Sequence, residues 1–453
     1  MITFFTLFAG EALRDTLSWY GFAAWDGAML VTLVIVAIVH ERRTGDRGVP
    51  RPRRSPPLPT LLVGGFALWA ALSLIWSQYR LSTLLALVIL FVTTLAAVLL
   101  HRWIGWSGIT TALATALHVI LGLSLLFELG VALLIGRPIL PVFPIDVEPG
   151  MKIPQAFYWS RALLFEGGRI QGILGNANLL GFVALLALIL TACLLVGRRI
   201  TLLAGISGMA LATLMLALTR SSTVIVAGAA CVIALALMVL WRRGSRGRRA
   251  AFWAGAGALV VLAGVAVTAR GPLLALAGKS EDLTGRLDIW AAVIGLIGER
   301  PILGWGWISY WVPWVEPFSG LAVRNGVEYL QAHNAYLDVL LQLGPVGLVL
   351  FVGIIVATAV GIGRDGVPAG PALRGVASGG PSASGARGST AGGASTNDDD
   401  DGRRAFVLAR VLPALLLTAL ATQALAESRL LVEGNWALLV ALALAATARH
   451  SRA

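Results

Sequence analysis

Charged residues are scarce in this chain. Only 13% of its 453 residues are Asp, Glu, Lys or Arg, whereas 57% are hydrophobic. Soluble domains carry roughly 25% charged residues, and the mean hydropathy here is +0.82. Most side chains must therefore face lipid or other apolar side chains, which excludes a water-soluble globular protein.

Cysteine is almost missing as well. The two cysteines, Cys193 and Cys231, both lie inside long apolar segments. A disulfide framework or a structural zinc site needs more cysteines, or Cys and His residues at short spacing. The sequence therefore predicts neither.

Aromatic residues do not interleave with the basic ones. The net charge is +12, but the arginines stand in short blocks between apolar runs, which is typical of cytoplasmic loops in membrane proteins. A nucleic-acid partner is excluded on that pattern.

Apolar runs of roughly 20 residues, the length that crosses a hydrocarbon core, recur along the chain. We therefore predict an all-α integral membrane protein, a polytopic helical bundle of about eleven or twelve spans. Residues 1–20 form either a short extra span or an interfacial helix. The other predicted spans are 22–40, 58–77, 82–100, 107–130, 172–196, 200–218, 222–241, 251–269, 335–360, 405–426 and 434–448.

The basic blocks fall in alternate loops if this span list is right. Because arginine-rich loops stay in the cytoplasm, they fix the orientation of a multi-pass protein of the cell membrane. The blocks lie within 42–54, at 102, and within 198–199, 242–249 and 364–404.

The chain divides into three predicted parts. Residues 1–361 form a transmembrane bundle with a long non-cytoplasmic loop at 271–334. Residues 362–404, rich in Gly, Ser and Ala, are a predicted disordered cytoplasmic linker. Residues 405–453 form a final transmembrane hairpin of the same domain. Short helices are expected in the loop, including one from Thr284 as N-cap to Gly298.

Few cationic residues remain on the non-cytoplasmic side. Arg169, Arg220 and Arg286 lie there next to apolar segments, where an arginine is costly and usually paired. One interpretation is that each arginine extends to the lipid headgroups or pairs with a carboxylate. The other is that it binds an anionic ligand, because a guanidinium matches phosphate oxygens bidentately.

His333 is the histidine expected at this face. An imidazole suits proton transfer near neutral pH, although a lone histidine is also often structural. Asn176 and Asn178 lie in a glycine-rich stretch; their amides can bind sugar or phosphate, or simply mark a tightly packed helix start.

Other polar and aromatic residues at this face have plainer interpretations. Asp146 and Glu148 are read as solvated loop carboxylates rather than metal ligands, and Glu427 and Glu433 as partners for the arginines. An aromatic group after Pro301 is either an interfacial belt or a sugar-stacking platform. It comprises Trp305, Trp307, Tyr310, Trp311 and Trp314.

Taken in order, these motifs resemble the O-antigen ligase and polymerase superfamily, over about residues 60–450 apart from the linker. Ala177 stands where a proline is common, and Gln342 where many members have a glutamate. The motifs are Gly168-Arg169-Ile170-Gln171-Gly172, Gly175-Asn176 with Asn178 and Gly181, Thr219-Arg220-Ser221, Gly285-Arg286 with Trp290, Pro301 with Gly304 and Gly306, and His333-Asn334 with Leu337, Gly344 and Gly347.

The resemblance implies an inverting transfer of a glycan from a polyprenyl-pyrophosphate donor to an acceptor hydroxyl, at the non-cytoplasmic face. It implies no metal and no cofactor. In this hypothesis Arg286, supported by Arg169 and Arg220, holds the pyrophosphate, and His333 orients or deprotonates the acceptor. Asn334 fixes the imidazole or the sugar, and Asn176 and Asn178 also bind the substrate.

Several functions share these features. The acceptor is a glycan, a lipid or a protein, so the chain is a ligase, a repeat-unit polymerase or a protein O-oligosaccharyltransferase. A transporter of lipid-linked glycans is the alternative from another class. Transporters often contain inverted repeats and a midplane site, whereas here no repeat is evident and the polar residues gather at one face.

Overall fold

The computed structural model describes residues 1–44, 57–145, 152–250, 253–255, 257, 281–324, 327–367 and 394–446. Within these ranges loops and turns join helices. The β-structure there is one pair of antiparallel two-residue strands, Val323–Arg324 and Val327–Glu328, and an isolated bridge between Ile139 and Ser160. The predicted all-α class is confirmed.

The helices differ widely in length, from 7 residues in the first to 51 in the longest. In chain order they are α1 (Ile2–Phe8), α2 (Gly10–Thr44), α3 (Leu58–Leu72), α4 (Arg80–Gly130), α5 (Ala177–Val196), α6 (Leu202–Thr219), α7 (Ser222–Trp241), α8 (Glu281–Glu299), α9 (Ala335–Arg364), α10 (Ala394–Phe406), α11 (Leu412–Gln423) and α12 (Glu433–Ala445). A π-helical turn, Val407–Val411, joins α10 to α11.

Eight helices in the described ranges are long and apolar enough to cross a membrane. The count is below the predicted one for identifiable reasons. The predicted spans 82–100 and 107–130 both lie within α4 and count once, although Gly105, with a non-helical backbone and φ at +58°, separates two helical segments there. Helix α12 has only 13 residues, and the predicted span 251–269 lies largely outside the described residues.

Residues 1–20 do not form a separate span. Helix α1 has seven residues, too few to cross a bilayer. It packs against α4 and α12, and Phe4 is buried in the main core. The N-terminal segment is therefore part of the bundle.

Helix α5 lies at the centre of the bundle, in contact with α4, α6, α7 and α11. Leu180, Leu186 and Leu190 are fully buried there. Gly181 permits the close approach of α7, because a Cβ at Gly181 would lie 2.9 Å from Thr219 Oγ1 and 3.3 Å from Ser221 Cβ. Small residues allow such contacts between membrane helices, and this one brings Ser221 beside the start of α5.

Helix α8 begins at Glu281 and ends at Glu299, so the prediction of Thr284 as its N-cap is wrong. The helix packs against α9, with Ile289 and Val293 in a second apolar core.

The aromatic group after Pro301 is mostly neither a belt nor a platform. Trp305 and Trp311 are buried in the second core, and Trp307 is buried in the main one. Gly304 has a positive φ, and a Cβ there would lie 2.6 Å from the carbonyl of Gln342. The glycine therefore lets this segment dock against α9, which buries its tryptophans; Trp314, 81% exposed, is the exception.

The predicted linker overlaps two helices at its ends. Helix α9 continues to Arg364, and Ala394–Phe406 is helical. Residues 368–393 lie outside the described residues, as do Asp146 and Glu148 of the other loop. The division into three parts stays a prediction.

Candidate active site

The carboxylate of Glu427 joins three distant parts of the chain. It lies in the turn between α11 and α12 and is 5% exposed. Its Oε2 lies 3.0 Å from Nδ1 of His333. Its Oε1 accepts hydrogen bonds from Nη2 of Arg286 at 3.2 Å and from Nδ2 of Asn178 at 3.1 Å.

Glu427 stays ionised in this setting. Burial alone would raise its pKa, but the charges of His333, Arg286 and Arg429 and the hydrogen bond to His333 outweigh it and hold the pKa below its ordinary value. The site therefore contains a fixed negative charge that holds an imidazole and a guanidinium side by side.

The contact with Glu427 determines which nitrogen of His333 can react. When Nδ1 carries the proton and donates it to the carboxylate, Nε2 has the lone pair and can accept a proton. The residue has a left-handed backbone, with φ at +50°, and such conformations in non-glycine residues concentrate at functional sites. The ring of Tyr329 packs edge-on against the imidazole, 5.5 Å between centroids.

Asp338 connects the two segments that carry His333 and Glu427. This fully buried carboxylate accepts hydrogen bonds from the backbone N–H of Ala332, at 2.9 Å, and from the hydroxyl of Ser428. Ala332 precedes His333, and Ser428 follows Glu427. Trp311 Nε1 donates to the other carboxylate oxygen at 2.9 Å, which fixes the orientation of the group.

Further hydrogen bonds join the same two segments. Asn334 donates its backbone N–H to Ser428 Oγ at 3.2 Å, and the backbone N–H of Ser428 donates to Gln331 Oε1 at 3.1 Å. Ala335 N–H donates to the carbonyl of Ala424 at 2.8 Å. The relative position of the imidazole and the carboxylate is therefore set by several bonds around them.

Asn178 links Arg169 to Glu427. Its Oδ1 accepts hydrogen bonds from Nη2 of Arg169 at 2.6 Å and from Oγ of Ser221 at 2.9 Å, while its Nδ2 donates to Glu427. Arg169 Nε also donates to the carbonyl of Thr219 at 3.1 Å. A continuous chain of polar contacts thus runs from Arg169 through Asn178 and Glu427 to His333.

Two helices start at this site. The Oδ1 of Asn176 caps α5, and the Oδ1 of Asn334 caps α9 by accepting the N–H groups of Tyr336 and Leu337. Helix N-termini are partly positive and bind anions well. Asn334 therefore contributes as a cap, and its predicted contact with the imidazole or the sugar stays a prediction.

A cavity of about 380 Å³ opens beside these groups. It brings together five predicted site residues: His333, Arg286, Arg169, Asn176 and Asn178. Its remaining lining residues are Asp288, Ile289, Leu321, Ala322, Val323 and Tyr329.

Arg220 is not among the described residues that line this cavity. It ends α6 with a left-handed backbone, φ +46°, and is exposed. Its Nη2 lies 3.9 Å from where a Cβ on Gly167 would be. The neighbouring Ser221, through its bond to Asn178, is the residue of this motif that reaches the site.

Sequence reasoning placed Glu427 only as an ion-pair partner of the arginines. The pairing with Arg286 is confirmed, but the contact with His333 was missed. Asp338 was missed altogether, although an ionisable residue inside an apolar span is a signal of function or of a buried network.

Comparison with known proteins adds a family similarity. Residues 205–352 match the profile of a protein family described as O-Antigen ligase. This third of the chain is therefore similar to the O-antigen ligase family. The match includes Arg286, His333 and Asp338, whereas Arg169, Asn178 and Glu427 lie outside it.

A known protein is also similar to part of the chain. The exopolysaccharide production protein ExoQ of Rhizobium meliloti (strain 1021) is 29% identical over 97 residues. The matched stretch is 20% of this chain and 21% of the relative, so the two are alike over about a fifth of their lengths. The predicted resemblance to this superfamily is confirmed.

Proposed function

We propose that this protein transfers a glycan from a polyprenyl-pyrophosphate donor to an acceptor hydroxyl, at the non-cytoplasmic face of the cell membrane. The observation that carries the proposal is the buried Glu427 carboxylate, which holds His333 and Arg286 together beside a cavity. The similarity to the O-antigen ligase family and a relative named for exopolysaccharide production support glycan chemistry.

His333 acts as the general base. With Nδ1 protonated and donating a hydrogen bond to Glu427, 3.0 Å away, Nε2 takes the proton of the acceptor hydroxyl as that oxygen attacks the anomeric carbon. The imidazolium that forms is stabilised by the adjacent carboxylate, the same arrangement that makes His–carboxylate pairs effective in other enzymes.

The arginines stabilise the leaving group. As the acceptor oxygen bonds to the anomeric carbon, the bond from that carbon to the pyrophosphate oxygen breaks and its electron pair goes to the pyrophosphate. Attack from the opposite side inverts the anomeric centre. Arg286 and Arg169 line the cavity, and fixed cations there offset the growing negative charge. Each guanidinium has five N–H donors, so Arg286 can bind a phosphate while it remains bonded to Glu427.

This chemistry requires neither a metal nor a cofactor, because a pyrophosphate is already a good leaving group and the guanidinium groups supply the positive charge. The N-termini of α5 and α9 add to that positive potential.

Polymerisation of repeat units is the second candidate function. The chemistry is the same, and the acceptor is another lipid-linked glycan. The similarity to ExoQ, an exopolysaccharide production protein, favours this acceptor.

The test compares cells with and without the protein. Deletion should leave lipid-linked glycan on the non-cytoplasmic leaflet and remove the mature product. Glycan that stays on single repeats indicates a polymerase, and full-length glycan that stays on the lipid indicates a ligase. Accumulation on the cytoplasmic leaflet would instead identify a transporter and refute the proposal.

A further inference from the structure

A second cavity lies next to the candidate active site. Its volume is about 420 Å³, and its walls include the aromatic residues Phe143, Phe157, Tyr158 and Trp159. Asn176 lines both cavities. The two cavities therefore adjoin each other at Asn176.

The aromatic wall is held in place before any ligand binds. Trp159 donates its indole N–H to the carbonyl of Ile173 at 2.9 Å, and its ring packs on Phe127 with 4.6 Å between centroids. The next residue, Ser160, donates to the buried Glu128 at 2.8 Å. Preorganised aromatic groups lose little conformational freedom on binding.

Charged groups on the other wall neutralise each other. Arg14 pairs with Glu11 and Asp15, and Arg429 pairs with Glu11. The guanidinium of Arg14 also lies over the ring of Phe143, 5.6 Å from its centroid. Two carboxylates and two guanidinium groups thus line the same cavity, and their charges balance.

A balanced set of charges selects against an ionic ligand. A phosphate is favoured where guanidinium groups outnumber the carboxylates that line a site, whereas two of each line this cavity. A lipid tail needs a wall without charges. A sugar has hydroxyl groups that donate to carboxylates and accept from guanidinium groups, and C–H faces that pack on aromatic rings. The volume falls within the roughly 300–1,000 Å³ of small-molecule sites.

We propose that this second cavity is a carbohydrate subsite, which binds uncharged sugar residues next to the bond that reacts. The proposal rests on the proposed function and adds where the glycan lies. The sugars come either from the donor or from a glycan acceptor, and both offer the same chemistry. Binding energy from such a remote subsite lowers the barrier when it positions the reacting end.

The test is a double variant, Phe157→Ala with Tyr158→Ala, in the full-length protein in detergent. The matched control is Phe165→Ala, since Phe165 is in the same loop, is 67% exposed and lines neither cavity among the described residues. The probe is lipid-free oligosaccharide, released by mild acid from the host cell's lipid-linked glycans. Binding is measured by calorimetry, and transfer by steady-state kinetics with each substrate varied.

Wild-type protein and Phe165→Ala should bind the oligosaccharide equally well. The double variant should bind it about tenfold more weakly or worse, as expected when two apolar ring contacts are lost. A matching rise in KM for the donor alone places donor sugars in the cavity, and a rise for the acceptor alone places acceptor sugars there.

Oligosaccharide binding tests the subsite, and glycan transfer tests the proposed function, so the two can fail separately. Equal binding by wild type and the double variant, or no binding by wild type, overturns the subsite, even if transfer proceeds. Oligosaccharide binding that the double variant weakens, in a protein that shows no transfer, keeps the subsite and refutes the proposed reaction.

Discussion

The imidazole of His333 lies 3.0 Å from the buried carboxylate of Glu427, although 94 residues separate them in the chain. Arg286, a further 47 residues before His333, binds the same carboxylate at 3.2 Å. The base His333, the cation Arg286 and the Glu427 carboxylate that orients both therefore form one unit.

The rate of glycan transfer should respond very differently to alanine substitution at Arg286 and at Arg220. Arg286→Ala removes a cation that lines the cavity, so transfer should fall by about 10²–10³, the usual cost of losing one charge-stabilising donor. Arg220→Ala should leave activity near the wild-type value, because Arg220 is exposed and is not among the described lining residues. Steady-state transfer by purified variants checks both, and equal losses would refute the assignment.

Asp338 should act as a positioning residue. It binds the segments on either side of the His333–Glu427 contact, so Asp338→Asn should displace the pair without touching substrate. A displacement of about 1 Å can cost 10²-fold in rate, and the loss should appear in kcat with KM little changed.

Ser428→Ala is the matched control for Asp338. It removes one of the bonds to Asp338 and should give a smaller loss in kcat. If Asp338→Asn raises KM as much as it lowers kcat, or only lowers the amount of folded protein, the positioning role is wrong.

The stability of the protein should depend on pH through Glu427. Its pKa is lowered in the folded state, so the carboxylate contributes stability above its unfolded pKa of about 4.3, and this is lost as the pH falls towards the folded pKa. The difference in Tm between wild type and Glu427→Gln should therefore narrow as the pH is lowered from about 7 to about 3. Subtracting the two curves cancels the other carboxylates, and a difference that is constant or grows would contradict the account.

Removal of divalent cations should leave transfer unchanged. The proposed chemistry assigns the positive charge to Arg286, Arg169 and two helix N-termini, so a chelator has nothing essential to remove. The measurement is the transfer rate before and after chelation and dialysis, with Mg²⁺ added back as the control. A loss that added metal restores would assign the charge to an ion instead.

The helices could be predicted from the sequence because apolar runs of sufficient length leave a membrane segment few alternatives. The cavity residues Arg169 and Arg286 could be found in the same way, since an arginine beside hydrocarbon needs a partner. His333 stood out because it was the histidine expected at that face.

The contacts between these residues could not be predicted, because they depend on packing across long stretches of chain. Ser221 reaches Asn178 at the start of α5 where Gly181 leaves room for the turn between α6 and α7. Similarly, Trp305 and Trp311 looked like surface aromatics, and they are buried because Gly304 docks their segment on α9.

The most direct test of the central claim is the turnover of His333→Ala, Glu427→Gln and the double variant, purified and assayed with lipid-linked donor. Each single change should lower kcat by about 10²–10⁴, the range of general-base catalysis. The double variant should be no slower than the slower single variant, because residues that act as a unit are not additive. Near-wild-type turnover in either single variant, or losses that multiply in the double variant, would contradict a His333–Glu427 catalytic pair.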